Sequence, residues 1–326
     1  MRSVSSDKSQ TLFRTRLVAL VLLLGAVCCI CAMSCAKDRS SKEKWHVERF
    51  YSLGTLCVIR SDIPDNSDIE KMVHEEEEAY SAFIPNSFVS RINESAGIAG
   101  VEVSAEFIGM IKKSIMLSKE TGGAFNVMIG CASSLYRNEY GEFCKVPDGK
   151  SLDDLVESGC LDPEDLVIDE IAGTVMLRRK GERIDLGGIA KGMIIDKVAE
   201  MLIRKGSKRF LINFGGDIRV FGDREYVIGI RDPESDSGGV SETVRIAGKC
   251  IVTSGAYERN FEENGVFYHH IIDPKTCRPC AIRNKSVTVI HDDAVIADAL
   301  ATALFINPDL RDSLIRKFEG LEVIFI

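Results

Sequence analysis

Histidine is scarce in this 326-residue chain, with 5 against 49 acidic and 41 basic side chains. Outside the N-terminal apolar run a single Cys-x-x-Cys is present, at Cys277 and Cys280, so a tetrahedral zinc site is poorly supplied with ligands. The pair reads more plainly as loop thiols, bridged if the compartment is oxidising, with redox activity as the alternative. Positive charge is short as well: the formal net charge is -8, and nothing basic is concentrated outside the N-terminus. That argues against a general nucleic-acid binder, which needs a basic stripe to displace counterions. Missing too are GxxxxGK[ST], GxGxxG and GxSxG, which removes the P-loop, the dinucleotide fingerprint and the serine nucleophile elbow. Neither repeats nor a low-complexity linker divide the chain, so subdomains are expected to interleave rather than follow one another.

What is present begins with a targeting segment. Arg14 and Arg16 precede an apolar run, LVALVLLLGAVCCICAM, that ends at Ser34 and Cys35. A small residue before a cysteine at the end of such a run resembles a bacterial lipobox, so residues 1–35 are expected to be a lipoprotein signal peptide cleaved at Cys35. An uncleaved membrane anchor is the alternative, since the run is about as long as a short span. Residues 36–46 would then be a polar tether and 47–326 the folded domain. Either way the globular part is expected on the periplasmic side of the inner membrane. Cys28, Cys29, Cys31 and Cys35 belong to this segment, leaving seven of the eleven cysteines in a domain large enough to fold without staples.

Along the domain, VERFYSLGTLCVIRS alternates as a strand pair or one long strand. Residues 67–82 predict a helix with Ser67 as N-cap. Its run Glu75 to Glu78 reads as a solvated face, because four consecutive carboxylates cannot all face one ion. SAEFIGMIKKSIMLSKETGG predicts a second helix ended by Gly122 or Gly123. AFNVMIG reads as extended, and a short helix is expected at 151–158. From residue 166 strands and helices alternate through tight glycine turns. The expected fold is α+β, a mixed β-sheet core with flanking helices in two interleaved subdomains, rather than a doubly wound parallel sheet.

Four places concentrate polar chemistry. In DLGGIAKG, residues 185–192, Asp185 and two glycines precede a helix expected near Lys191; helix N-termini suit phosphate, although many such turns are plain connections. NFGGDIR, with Asn213 and Asp217, is a second tight polar turn that can face the first. TSGAYER and then YHHIIDPKT carry Ser254, Arg259, His269 and His270; on a strand the two histidines face opposite sides, so at most one enters a site. In ADALATALF, Asp298 and Thr302 stand at i and i+4 of a helix. They are hard oxygen donors suited to Mg²⁺, or else Asp298 caps the start of that helix.

Seven segments in order resemble the ApbE family of FAD:protein FMN transferases: LGT at 53–55, TGGAFN at 121–126, DLGGIAKG at 185–192, NFGGDIR at 213–219, TSGAYER at 253–259, HIIDPKTCRP at 270–279 and ADALATALF at 297–305. The resemblance implies an ApbE-like fold around an FAD cleft. It also implies a Mg²⁺-dependent enzyme that moves the FMN half of FAD to a threonine, or a serine, of extracytoplasmic flavoprotein subunits of membrane redox complexes, releasing AMP. By motif position Asp298, Thr302 and the carbonyl of Gly188 would hold Mg²⁺. Leu53, Ala124, Phe125, Asn126, Asp185, Lys191 and Ile272 would contact FAD, and His270 would be the general base. Phe83, in SAFIPNSFVSRIN, stands near an aromatic position of the family and would stack on the flavin. Leu53 replaces a usual methionine, Asn126 a common aspartate and Cys277 a glycine. Some spirochaetal members hydrolyse FAD to FMN and AMP instead, so a Mg²⁺-dependent pyrophosphatase is one alternative activity. A non-catalytic FAD-binding lipoprotein is another.

Overall fold

The computed structural model describes residues 44–64, 66–138, 141–235 and 238–326. The expected signal peptide, its lipidation site Cys35 and the tether as far as residue 43 lie outside the described residues. One compact unit comprises residues 44–226 and 246–326; residues 227–245 belong to a second and form most of a hairpin in which Tyr226–Arg231 pairs with Val240–Ile246.

In the larger unit a seven-stranded sheet runs in chain order. Its strands are β1 (His46–Ser52), β2 (Thr55–Ser61), β3 (Phe210–Phe214), β4 (Asp217–Phe221), β5 (Cys250–Gly255), β6 (Ser286–His291) and β7 (Glu322–Phe325). The α+β class holds, and every pairing in this sheet is antiparallel, a more uniform sheet than a mixed one. Burial follows sequence: β1 alternates, whereas β6, SVTVIH, is buried at every position, as a central strand covered on both faces must be.

Helices α1 (Ser67–Tyr80), α2 (Ala105–Glu120), α3 (Gly149–Ser158) and α4 (Ala190–Arg204) occupy the excursion between β2 and β3, and α5 (Ala294–Ile306) follows β6. The α5 sequence, AVIADALATALFI, is apolar on nearly every side and packs across β5, β6 and α4; a helix hydrophobic all round can only be stable inside. Burying Leu300, Leu304 and Phe305 contributes about 1.5–3 kcal/mol each. Asp298 is the single ionisable side chain in that helix.

Several local expectations need correction. Ser67 lies inside α1; its N-cap is Asn66, whose own N–H donates to Glu48. Of the run Glu75 to Glu78, Glu76 pairs with Lys197 and Glu77 accepts from Ser52, so the face is only partly solvated. AFNVMIG is not extended: Asn126 caps a 3-10 turn at Val127–Ile129 by accepting from Met128 N–H, and a short helix, Gly130–Ser133, continues it. The stretch leading to Asp185 joins no sheet, although strands were expected from residue 166 onward, and is fixed by two bonds between Asn93 and Ile184. Asp298 does not cap α5, because Asp293 does, accepting from Ile296 N–H. Cys277 and Cys280 are both buried, in different cores.

Candidate active site

Two hairpin turns meet at one end of the sheet. The β1–β2 turn is Leu53–Gly54, with φ of 56° and 69°, the paired left-handed geometry of a two-residue hairpin. Leucine rarely adopts that conformation, which is held here by the strand pairing on either side. The β3–β4 turn is Gly215–Gly216, and a Cβ on Gly215 would lie 2.5 Å from Thr55 Oγ1, so only glycine permits the two turns to touch. The Arg259 guanidinium reaches the first turn, its Nη2 3.1 Å from where a Cβ on Gly54 would stand.

Asp217, the first residue of β4, is the hub of this end. Its Oδ1 accepts from Thr253 N–H at 3.3 Å and its Oδ2 lies 2.6 Å from Lys191 Nζ. Burial opposes the charge on Lys191, but the carboxylates of Asp217, Glu258 and Asp298 outweigh it and hold the ammonium above its ordinary range.

Lys191 stands in the first turn of α4, whose N-cap, Ile189, supplies no side-chain bond. The neighbouring helix substitutes: Asp298 Oδ2 accepts from Gly192 N–H at 2.9 Å. A Cβ on Gly192 would meet Ala294 O at 2.3 Å and one on Gly188 would meet Thr302 Oγ1 at 3.2 Å. The two glycines and the pair Asp298 and Thr302 therefore form two rungs, one helical turn apart, between α4 and α5. Burial, reinforced by the nearby Asp217 charge, pushes the Asp298 carboxyl up to about 7, against the opposing pull of Lys191. Asp298 is thus a buried carboxyl whose charged form needs a nearby positive charge.

Asp185 is fixed from three directions: its N–H donates to Val127 O, its Oδ1 accepts from Gly187 N–H, and its Oδ2 accepts from Ser133 Oγ at 2.8 Å. Phe125 packs 3.6 Å from the Cβ position of Gly188, joining the TGGAFN, DLGG and ADALAT motifs. Both ends of the Asn126 amide are engaged structurally, with Leu161 O and Met128 N–H. Phe83 is 46% exposed, with the Arg137 guanidinium 4.5 Å over its ring.

Of the two histidines, His269 is buried and its Nε2 donates to Cys280 O at 2.9 Å, a core role. His270 faces the site. Its Nδ1 lies 3.1 Å from Arg259 O; a carbonyl only accepts, so Nδ1 carries the proton and Nε2 keeps its lone pair. Burial, aided by the Arg259 and Arg137 charges, pulls the imidazole down to about 3, so it is neutral at physiological pH.

The structure thus brings together Leu53, Phe125, Gly188, Lys191, Asp298, Thr302 and His270 with their motif partners, and ties Phe83 to the same region through Arg137. Ala124 is buried beside Phe125. Ile272 is the exception, its side chain lying in a small core with Tyr136, Leu152 and Cys277. Sequence reasoning assigned no role to Ser133 or Arg137, named Arg259 only within a polar segment, and read Asp217 as part of a turn that can face the DLGG loop. Arg259 and Asp217 carried a signal, since both lie in quoted motifs.

The sequence pattern described as the ApbE family matches residues 53–325. The chain belongs to the ApbE family. A Treponema pallidum protein named FAD:protein FMN transferase is 30% identical over 324 residues, covering 92% of this chain and 89% of that one. A Klebsiella pneumoniae protein of the same name is 34% identical over 241 residues, covering 74% of this chain and 75% of its own. Among solved structures, the ApbE protein of Thermotoga maritima superposes with a TM-score of 0.78 at 29% identity, over 87% of this chain and 94% of that one.

Proposed function

We propose that this ApbE-family chain is an FAD:protein FMN transferase, moving the FMN moiety of FAD onto an acceptor protein with release of AMP, and that it does so with Mg²⁺ and a threonine or serine hydroxyl. The family membership and the names of the relatives support the transferase reading. The observation that carries the chemistry is Asp298, the one carboxylate of α5, buried opposite Gly192 and one turn from Thr302, which stands opposite Gly188.

This donor set fits Mg²⁺. Among the described residues no three His, Cys, Asp or Glu side chains converge as a metal cage. Mg²⁺ commonly takes one or two carboxylates and completes its shell with water and substrate phosphates. Asp298, Thr302 and the Gly188 carbonyl would hold it, and when bound it would supply charge neutralisation on the pyrophosphate.

The chain's own groups do the remaining work. Lys191, kept charged and aimed by Asp217, sets a fixed cation at the start of α4, where the helix dipole also favours phosphate. Ser133 and Gly187 lock Asp185 as an acceptor for FAD. Neutral His270 takes the acceptor hydroxyl proton at Nε2, while Arg259 O holds the ring by Nδ1. Phe83 supplies an aromatic face for the isoalloxazine, and Leu53, Ala124, Phe125, Asn126 and the Ile272 backbone line the rest. Export behind a lipid anchor at Cys35, on the periplasmic side of the inner membrane, would place the enzyme beside acceptor subunits of membrane redox complexes.

The test is to incubate the protein with FAD, Mg²⁺ and a flavinylation-domain acceptor, then weigh the intact acceptor and separate free nucleotides. An acceptor heavier by one FMN with matching AMP is expected. Free FMN and AMP beside unmodified acceptors would identify water as the acceptor, and no AMP would leave only FAD binding.

A further inference from the structure

All seven described cysteines carry free thiols, yet two of them meet. They are not the sequence neighbours Cys277 and Cys280 but Cys131 and Cys160, 29 positions apart. The Cys131 thiol lies 3.5 Å from the Cys160 carbonyl oxygen, and each thiol is the largest influence on the other's ionisation. Each sits on backbone that has little freedom. Cys131 follows Gly130, where a Cβ would fall 2.6 Å from the Ile184 carbonyl carbon, and its sulfur accepts from Arg183 N–H at 3.3 Å. Cys160 follows Gly159, the left-handed C-cap of α3, and its N–H donates to Ser158 Oγ. One residue further on, Leu161 O accepts from Asn126 Nδ2 at 2.7 Å, so the two backbones are already joined beside the thiols.

We propose that Cys131 and Cys160 are a disulfide site, and that the bond straps residues 131–160, the wall that carries Ser133 and Arg137, to the body of the domain. The wall has reason to be strapped. Leu152 is the one buried side chain of α3, so packing holds that helix lightly, while Tyr136 anchors the start of the excursion in a small core. Ser133 and Arg137 are the residues through which the excursion meets Asp185 and Phe83. The site is independent of the flavin reaction; its oxidation in the cell rests on the export reading, because disulfides persist outside the cytoplasm.

The chemistry needs a disulfide oxidant, either oxidised glutathione or a protein of the dithiol oxidase class. Cys160 is the attacking thiol: the neighbouring Cys131 first, and then Ser158, outweigh burial and bring it down to about 6. Its thiolate attacks the oxidant's disulfide, forming a mixed disulfide and expelling one thiolate. Cys131 then loses its proton and attacks the Cys160 sulfur, expelling the second. Two protein thiols give up two electrons and two protons, and one disulfide is reduced to two thiols.

The full chain should be equilibrated in glutathione buffers of defined ratio, unfolded and alkylated, then reduced, labelled with a second alkylator and mapped by peptide mass spectrometry. In oxidising buffer a peptide linking Cys131 to Cys160 is expected, while Cys57, Cys250, Cys277 and Cys280 take the first label. The oxidised protein should melt roughly 5–10 °C above the reduced one, as closing a ring of this length in a domain of this size implies. That difference should vanish in Cys160→Ser and persist in Cys144→Ser, which removes an exposed thiol. First label on both Cys131 and Cys160 in oxidising buffer, or Cys160 joined to Cys277, would overturn the assignment. A linked pair with no reductant-dependent melting shift would overturn the strap. Because the mapping uses unaltered protein in a set redox buffer, a failure of the export reading leaves it unaffected.

Discussion

In the proposed site, the α4–α5 wall and the wall made by Phe83, Arg137 and His270 are built by opposite means. In the first, two long helices approach so closely that glycine is needed at Gly192, Gly188 just ahead of α4 lies tight against Thr302, and Asp298 acts as a cap for the neighbouring helix. In the second, Phe83 is half exposed and is held by a guanidinium stack, while His270 depends on a backbone carbonyl. A site for metal and phosphate needs rigid, buried oxygen donors, which packed helices provide. A site that must admit FAD and then a second protein needs open loops. The comparison predicts that substitutions in the helical wall cost both stability and turnover, and that substitutions in the loop wall cost turnover or specificity alone.

The largest effect is expected from Asp298→Asn. It keeps an acceptor for Gly192 N–H but removes the charge, so AMP release should fall by about 10³-fold or more while FAD still binds, measured by nucleotide chromatography and flavin fluorescence titration. Retained turnover would place the metal elsewhere. Next comes His270→Gln, expected to lose about 10²–10⁴-fold in FMN transfer to protein with unchanged FAD affinity. Equal loss of affinity would make His270 a binding residue. Gly192→Ala should cost about 1–3 kcal/mol or more in chemical denaturation, since its methyl would strike Ala294 O, and turnover should fall with it. Phe83→Ala is expected to leave stability within about 1 kcal/mol and raise KM for FAD more than it lowers kcat.

The smallest effect is a pH slope. His270 stays neutral in the fold down to about 3, whereas a free imidazole takes its proton near 6.5. The unfolded chain therefore binds more protons between those values, and stability falls as pH drops through that window. His270→Gln should melt with a shallower loss between pH 7 and pH 5 than the unaltered protein. An identical slope would remove His270 as a source of that loss.

How much could be read from sequence divides along the same line. The placing of Asp298 and Thr302 on one face of a helix was legible because a lone carboxylate inside an apolar run stands out, and the glycine turns because adjacent glycines mark tight backbone. The α+β class followed from strands broken by those turns. The pairing of Lys191 with Asp217 was not legible, since it joins a helix start to a strand start 26 residues on, and only the sheet order brings them together. Nor was the helical turn after Asn126, where a side-chain cap and the contact of Gly130 with the Ile184 backbone override an extended-looking run. The thiol pair was misplaced for a related reason: neighbours in sequence, Cys277 and Cys280, enter different cores, while distant residues meet.

The most direct test of the helical wall is anomalous diffraction from crystals grown with Mn²⁺ in place of Mg²⁺ and with ADP as a pyrophosphate ligand. A single strong peak bounded by the Asp298 carboxylate, Thr302 Oγ1 and the Gly188 carbonyl is the expected result. A peak elsewhere in the cleft, or nucleotide bound with no metal between α4 and α5, would contradict it.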